Sequence, residues 1–496
     1  MKVLMVTSEV VPFAKAGGLG DMVGALSEEL QRQGHDVRVV LPRYYFVDSG
    51  RMRRSGTALG VPLGRSEEWV GVYEARLPGA DVPVYFLEHE ELYGRDGIYG
   101  YGSAGPSFDD NLHRFAVLSR AALELTKRLD WFPDVVHAHD WPAALAPVYL
   151  NLLEPHGALG DAASVLTVHN LAHQGDFPKE QLVHTGLGWE QYHTAGLERY
   201  GRVNLLQAGL RHADLITTVS PTYAREITTP EHGDGLDALL RHRSPDLFGV
   251  LNGVDYEIWN PEIDPLIPVA YGHADLAGKA VDKTELQREL GLETRPGVAL
   301  YGMVSRLVEQ KGLGELCGPA HGSLASICTD LDVQVAILGT GEAWCESELR
   351  MLAERHPNLA VRIGYDERLA HLIEAGADFF LMPSRWEPCG LNQIYSLRYG
   401  TLPIVRRTGG LADTVETYDE TTGGGTGFVF DELTPSSIYN TVGWSLWAYH
   451  HRPEHIRAMR VRAMQQRFSW EVAARRYAEL YGCAVDRKLG RVPRTW

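Results

Sequence analysis

The chain has 496 residues, 44% of them hydrophobic and 22% charged, a globular balance long enough for two domains with a core each. Its 64 acidic against 47 basic residues give a formal net charge of −17, a field that repels nucleic acid and anionic lipid and argues against both as partners. The five scattered cysteines (Cys317, Cys328, Cys345, Cys389, Cys483) form no CxxC pair, which fits a reducing cytoplasm, and the opening MKVLMVTSEV is too short and too soon broken by Glu9 to be a signal peptide or a membrane span.

Val3–Val6 reads as a buried strand, followed by a glycine-rich loop and a helix from Asp21 to Gln33 with Gly34 as its stop. Val37–Leu41 completes a βαβ unit, and Trp69–Arg76 with Val82–Glu88 form a strand pair around a Pro-Gly turn. Further strands are expected at Asp134–His139, Ser164–His169, Leu215–Val219 and Gly249–Leu251. Asn252–Pro265, rich in Pro, Asp and Asn, reads as a linker. A second array follows, with strands at Val298–Ser305, Val333–Leu338, Ala360–Ile363, Phe379–Pro383, Leu402–Val405 and Phe428–Phe430. Two successive βα arrays imply two Rossmann-like domains. Thr421–Gly427, with three consecutive glycines, reads as a mobile loop. The basic clusters at Arg51–Arg54 and Arg457–Arg467 read as solvated loop and helix faces.

Open parallel sheets bind ligands beyond the carboxyl ends of their strands, and the unusual residues of this chain collect there. Lys15-Ala16-Gly17-Gly18-Leu19-Gly20-Asp21 offers glycine amides and a cation at a helix start, which suits a phosphate or sugar and equally a tight turn with a surface lysine. Arg306 and Lys311, five apart after a strand, can converge on a diphosphate as fork and point charge, or can be surface cations at a helix cap. Glu387-Pro388-Cys389-Gly390-Leu391 sets a carboxylate beside exposed amides, the mixture a polyhydroxylated sugar wants, or is a plain loop turn. His137-Ala138-His139 puts two imidazoles on one strand face, so a zinc hydrolase has to be weighed. No HExxH or Cys/His spacing accompanies them, and core histidines bonded to backbone fit better. Asp140, Trp141, His169 and Asn170 join hydroxyl partners to an apolar stacking face.

Read together, KAGGLGD at 15–21, HAHDW at 137–141, TVHNLAHQG at 167–175, NGVD at 252–255, SRLVEQKG at 305–312 and the long run from Pro383 to Val415 resemble the bacterial glycogen synthase and plant starch synthase family, in family order and across almost the whole chain. The resemblance implies an α/β GT-B fold, two Rossmann-like domains with parallel sheets facing a central cleft: residues 1–254, 255–478, and a segment 479–496 packing back on the first domain. It implies transfer of glucose from ADP-glucose to the non-reducing end of glycogen or a malto-oligosaccharide with retention at the anomeric carbon, without cofactor or metal. A UDP-glucose enzyme or another retaining GT-B transferase is the alternative, and a catalytically silent glucan-binding protein is disfavoured by the intact cations.

Carried over by the resemblance, Lys15, Gly18 and Asp21 sit at the donor, and Arg306 and Lys311 bind its diphosphate. Glu387 holds glucose hydroxyls with the amides of Cys389, Gly390 and Leu391. His169 and Asn252 hold the other side of the sugar, and Asp140 and Trp141 lie by sugar and acceptor. Tyr365 stacks near the base, and Tyr99 faces the sugar site. Many GT-B relatives carry a second glutamate eight positions after the first; here that position is Tyr395.

Overall fold

Aliphatic runs buried on both faces build two separate parallel sheets, the pattern expected of strands covered by helices on either side. The computed structural model describes residues 1–50, 52–56, 58–101 and 106–491; Arg51 of the first basic cluster and residues 492–496 of the expected C-terminal segment lie outside them. The chain divides into two units: Met1–Val219 with Ala224–Gly253 and the stretch from Trp470 onward, and Ser220–Tyr223 with Val254–Ser469.

In the first unit the parallel strands are β1 (Lys2–Val6), β2 (Asp36–Pro42), β3 (Pro83–Glu88), β4 (Val135–His139), β5 (Ala163–Val168), β6 (Leu215–Thr218) and β7 (Leu247–Gly249), in spatial order β7-β6-β5-β4-β1-β2-β3. The order reverses between β1 and β4, so a crevice opens where their carboxyl ends diverge. Ser66–Arg76 extends the sheet antiparallel to β3, as the Pro-Gly turn predicts. The last strand of this unit, Leu247–Gly249, lies two residues earlier than the expected Gly249–Leu251. Helix α1 (Gly18–Arg32) starts three residues before the expected Asp21, because Gly18 and Gly20 are already helical. The C-terminal helix, Trp470–Lys488, belongs to this unit from Trp470, not from 479: Ala473, Ala474, Tyr477 and Tyr481 join Val3, Met5 and Leu26 in one core.

In the second unit β8 (Ala299–Leu307), β9 (Val333–Gly341), β10 (Leu359–Ile363), β11 (Phe379–Met382), β12 (Leu402–Arg406) and β13 (Phe428–Phe430) lie in the parallel order β10-β9-β8-β11-β12-β13. All six occur where the sequence places them. Alternate residues serve two cores: Ala299, Tyr301 and Met303 face one, Leu300, Phe380 and Met382 the other. The switch point lies between β8 and β11, and α2 (Asn392–Arg398) follows the loop after β11.

Three sequence expectations are corrected here. Asn252–Pro265 contains the passage between units at Gly253–Val254, yet most of it is packed and not a free linker. Trp259 stacks on His371 at 3.8 Å and on Tyr395 at 4.0 Å, and buried Asp264 accepts from His371 Nδ1 at 2.8 Å and the Tyr399 hydroxyl at 2.5 Å. The Thr421–Gly427 loop is pinned: Arg462 donates to the Gly425 carbonyl at 3.0 Å, and Asp419 accepts from the Thr421 amide at 2.8 Å. Arg460, in the second basic cluster, turns inward to Asp378 at 2.6 Å. Asp264 and Arg460 each find a buried partner far away in sequence, and Arg462 reaches back to the loop carbonyl of Gly425.

Candidate active site

In the first unit the chain leaves β1 through Thr7, Ser8 and Glu9. Glu9 is buried, and one carboxylate oxygen accepts the amides of Ala16 at 2.6 Å and Gly17 at 2.9 Å. Two amides that the sequence offers to a ligand are therefore committed within the protein. Burial pushes the Glu9 carboxyl up, against the pull of the Tyr99 hydroxyl and these two amides. The amides that α1 itself leaves without an intrahelical partner begin at Gly18, where the helix dipole also favours an anion. A methyl added at Gly17 or Gly18 meets no protein atom within 4 Å, so this face of the loop looks onto open volume. Lys15 is exposed and pairs with Asp21 at 2.8 Å across the loop.

At the end of β4, Asp140 adopts φ 54°, a left-handed conformation uncommon outside glycine and best tolerated by Asn and Asp. This turn aims its carboxylate at β5, where Oδ1 accepts the His169 amide at 2.7 Å. Burial pushes the Asp140 carboxyl up to about 7; the His169 and Asn170 amides oppose the shift, and Glu9 adds to it. Asn170 turns its own side-chain oxygen back on the Ala172 amide at 3.2 Å. Trp141 is half-buried among Phe115, Phe177 and Tyr99, with ring centroids 4.9, 5.9 and 6.0 Å away. Asn252, after β7, is buried with its Oδ1 unpartnered.

The histidines are core residues, but their partners are side chains and not backbone. His137 bonds the Tyr481 hydroxyl at 2.8 Å and Thr167 Oγ1 at 2.6 Å, while His139 Nδ1 lies 3.2 Å from His169 Nε2. Burial lowers all three, His137 and His169 to about 3, so they are neutral near pH 7. Among the described residues no group of three His, Cys, Asp or Glu side chains could hold a metal ion.

The second unit brings Arg306 and Lys311, from the β8 end, to Glu387, from the loop after β11. The three line one cavity of about 170 Å³ with Ser384, Gly390, Leu391 and Asn392. Lys311 Nζ lies 2.5 Å from Glu387 Oε2, which also accepts from Ser384 Oγ at 2.9 Å. Arg306 is exposed, its guanidinium 3.3 Å from Gln310 Oε1. The loop is held in shape from behind. The Gly410 amide donates to the Glu387 carbonyl at 3.0 Å, and a Cβ on Gly409 or Gly410 would come within 1.9 Å of the Glu387 or Cys389 carbonyl. Only glycine permits that approach.

Two expected residues stand apart from this cavity. Cys389 is buried and does not line it, its carbonyl bonded to Gln393 Nε2 at 3.0 Å. Tyr365 is 88% exposed, just after the edge strand β10. Conversely, sequence reading missed Glu9, Ser384 and Asn392. The one signal for Glu9 was a carboxylate directly after a buried strand.

Residues 2–242 match the starch synthase catalytic domain family and residues 282–446 match glycosyl transferases group 1. A glycogen synthase of Treponema denticola is 52% identical over 488 residues, covering 98% of this chain and 99% of its own. Glycogen synthase 1 of Geobacter metallireducens is 51% identical over 497 residues, 99% of this chain and 97% of its own. Among solved structures, the catalytic domain of starch synthase IV from Arabidopsis thaliana, bound to ADP and acarbose, aligns with a TM-score of 0.86 at 32% identity over 98% of this chain and 99% of that one. A sucrose-phosphate synthase from Thermosynechococcus elongatus, 16% identical with a TM-score of 0.59 over 97% of this chain and 98% of its own, shares the fold alone.

Proposed function

The chain belongs to the bacterial glycogen synthase and starch synthase family of GT-B glycosyltransferases, and from that premise we propose that ADP-glucose is its donor and the non-reducing end of an α-1,4-glucan its acceptor. It is a glycogen synthase, a retaining hexosyltransferase. The observation that carries the reading is the meeting of Arg306, Lys311 and Glu387 in one cavity from two strand ends at a switch point. A diphosphate needs two cations, and a hexose needs a carboxylate and amides beside them. The ADP held by the Arabidopsis relative supports an adenine nucleotide.

In this reading Arg306 forks onto the diphosphate. Lys311 has three donors, of which one serves Glu387, leaving two for phosphate oxygens. Glu387 takes glucose hydroxyls, with the amides at Gly390 and Leu391 close by and Cys389 setting the turn. Lys15, Asp21 and the amide of Gly18 serve the donor. His169, Asn170 and Asn252 hold the sugar, Asp140 and Trp141 position sugar and acceptor, Tyr99 backs the sugar site, and Tyr365 stacks on the base. The sugar C1–O bond to phosphate breaks as the acceptor O4–C1 bond forms on the same face. The acceptor proton passes to the leaving phosphate, and the two cations stabilise the departing ADP.

The reaction fits the cytoplasm: the five cysteines are buried and none is in a disulfide. No helix among the described residues is long and apolar enough to cross a membrane. Glycogen or a malto-oligosaccharide is the macromolecular partner, and a charge of −17 disfavours nucleic acid.

The test is incorporation of labelled glucose into glycogen from ADP-glucose and from UDP-glucose, each with and without chelator. A clear kcat/KM preference for ADP-glucose, unchanged by EDTA, is expected. A preference for UDP-glucose overturns the donor assignment. Activity lost in EDTA and restored by Mg²⁺ or Mn²⁺ overturns the role given to the two cations.

Gly18→Ala tests the open face of the glycine loop. Alanine at a helical position relieves a backbone cost of roughly 0.5–1 kcal/mol, and no protein atom obstructs the methyl. Tm is expected to hold or rise while kcat/KM falls. An unchanged kcat/KM would mean that no substrate approaches this loop.

A further inference from the structure

Glu9 is a buried carboxylate, 3% exposed, that lies at the end of the central strand of the first unit and has no part in the transfer described above. Its two oxygens face in different directions. Oε2 takes the amides of Ala16 and Gly17, and Oε1 takes the Tyr99 hydroxyl at 2.5 Å. Tyr99 is fixed in turn by Ser8 Oγ at 2.8 Å, and its ring lies 6.0 Å from that of Trp141. A hydroxyl that the sequence offers to the sugar is thus committed to a carboxylate. A single side chain ties the glycine loop, through Tyr99, to the turn that carries Asp140 and Trp141.

We propose that Glu9 is a positioning residue of glucosyl transfer: by clamping the Ala16 and Gly17 amides on one oxygen and Tyr99 on the other, it fixes the donor-side glycine loop against the Asp140–Trp141 turn. The inference rests on the glucosyltransferase reading of the same site. Charge and shape divide the work. The clamp turns the Ala16 and Gly17 amides inward, so the loop presents to ligand the helix start at Gly18 and Lys15. A carboxylate suits this better than an amide, because each of its oxygens accepts only, and three donors converge on it. The neighbouring charges are few. Asp21 and Tyr44 face Glu9 besides Tyr99, and His137, His139 and His169 around Asp140 are neutral near pH 7. Glu9 is therefore the charge within this unit that bears on the Asp140 carboxyl.

Glu9→Gln is nearly isosteric and tests this directly. Its side-chain NH₂ either faces the two amides and breaks that side of the clamp, or faces Tyr99 and reverses that hydrogen bond, the hydroxyl then accepting from it and donating to Ser8 Oγ; in both cases the negative charge that holds three donors is lost. The expected result is a loss in kcat of up to about 10²-fold, the cost of a misplaced reacting geometry, with a smaller change in the KM for ADP-glucose. The acid limb of kcat/KM should also move to lower pH, because a like charge near Asp140 has gone; a residue that merely stabilised the fold would not move it. Backbone hydrogen exchange of the Lys15–Gly20 segment should quicken. Tyr99→Phe, which removes the other arm alone, should show the kcat loss without the shift of the acid limb. A Glu9→Gln enzyme with wild-type kcat and an unmoved acid limb overturns the proposal. Wild-type protein that transfers no glucose overturns the functional reading instead, so the two failures are distinguishable. If Glu9→Gln does not fold, Tyr99→Phe with unaltered kcat overturns the proposal alone.

Discussion

Lys311→Ala is expected to lower kcat by about 10²–10³-fold, the usual loss when a preorganised donor to developing negative charge is removed, with KM for the donor changing less. In the proposed reading the ammonium faces a diphosphate that is already anionic and gains further charge as ADP departs, so part of its contribution is made in the transition state alone. The structure adds a second effect. Lys311 and Glu387 form a pair whose side chains are 16% and 7% exposed, 2.5 Å apart. Removing one partner of a buried pair leaves a desolvated charge and costs up to about 3–5 kcal/mol, so Tm should fall as well. Combining Lys311→Met with Glu387→Gln removes both charges and should restore Tm but not kcat. Arg306 is exposed, its guanidinium beside the Gln310 side chain, so Arg306→Ala should lose about 10–150-fold in kcat at unchanged Tm. If only KM rises in these variants, the pair binds the ground state and does not assist departure. Glu387→Gln should keep part of its activity, since an amide still bonds hydroxyls, and Glu387→Ala far less.

Asp140→Asn should separate two roles that Asp140→Ala confuses. Asn tolerates φ 54° as Asp does, whereas Ala there would cost about 1–2 kcal/mol of backbone strain. The Asp140 carboxyl titrates near 7, above its ordinary value of about 3.9. The folded state thus holds a proton that the unfolded state has released between those two values. Stability attributable to this group declines as pH rises from about 4 to about 7. Asp140→Asn should therefore be the more stable protein at pH 8, by a margin that shrinks as pH falls through 7. Activity should move the opposite way. If the ionised carboxylate orients the acceptor hydroxyl, wild-type kcat/KM rises with pH through an apparent pKa near 7. Asp140→Asn should lose that limb and about 10²-fold in rate. External azide should yield no β-glucosyl azide, because same-face transfer needs no carboxylate nucleophile. A glucosyl ester trapped on Asp140 or Glu387, or the azide product, would establish double inversion instead.

What was legible in the sequence is local. Strands such as Val3–Val6 and Phe379–Met382 declare themselves by unbroken aliphatic and aromatic runs, and each motif that follows them lies at a strand end because the chain itself says so. The six strands of the second unit needed nothing more, whereas spacing left Arg306, Lys311 and Glu387 open between ligand contacts and plain surface positions, and only the family resemblance assigned them roles. Sheet order was decided elsewhere. Nothing in the periodicity of β1, β4, β8 or β11 tells that the order reverses between them, and that reversal creates the crevices where these residues meet. Tertiary structure also set partners: His137 to Tyr481 and Lys311 to Glu387, separated by 344 and 76 residues. It turned the Asx-tolerant backbone of Asp140 left-handed, stacked Trp259 between His371 and Tyr395, and committed the Ala16 and Gly17 amides to Glu9. The physical reason is common to all of them. Hydrophobic periodicity records which residues leave water, a property each residue carries with its near neighbours, whereas the partner of a buried polar group depends on which strands lie side by side.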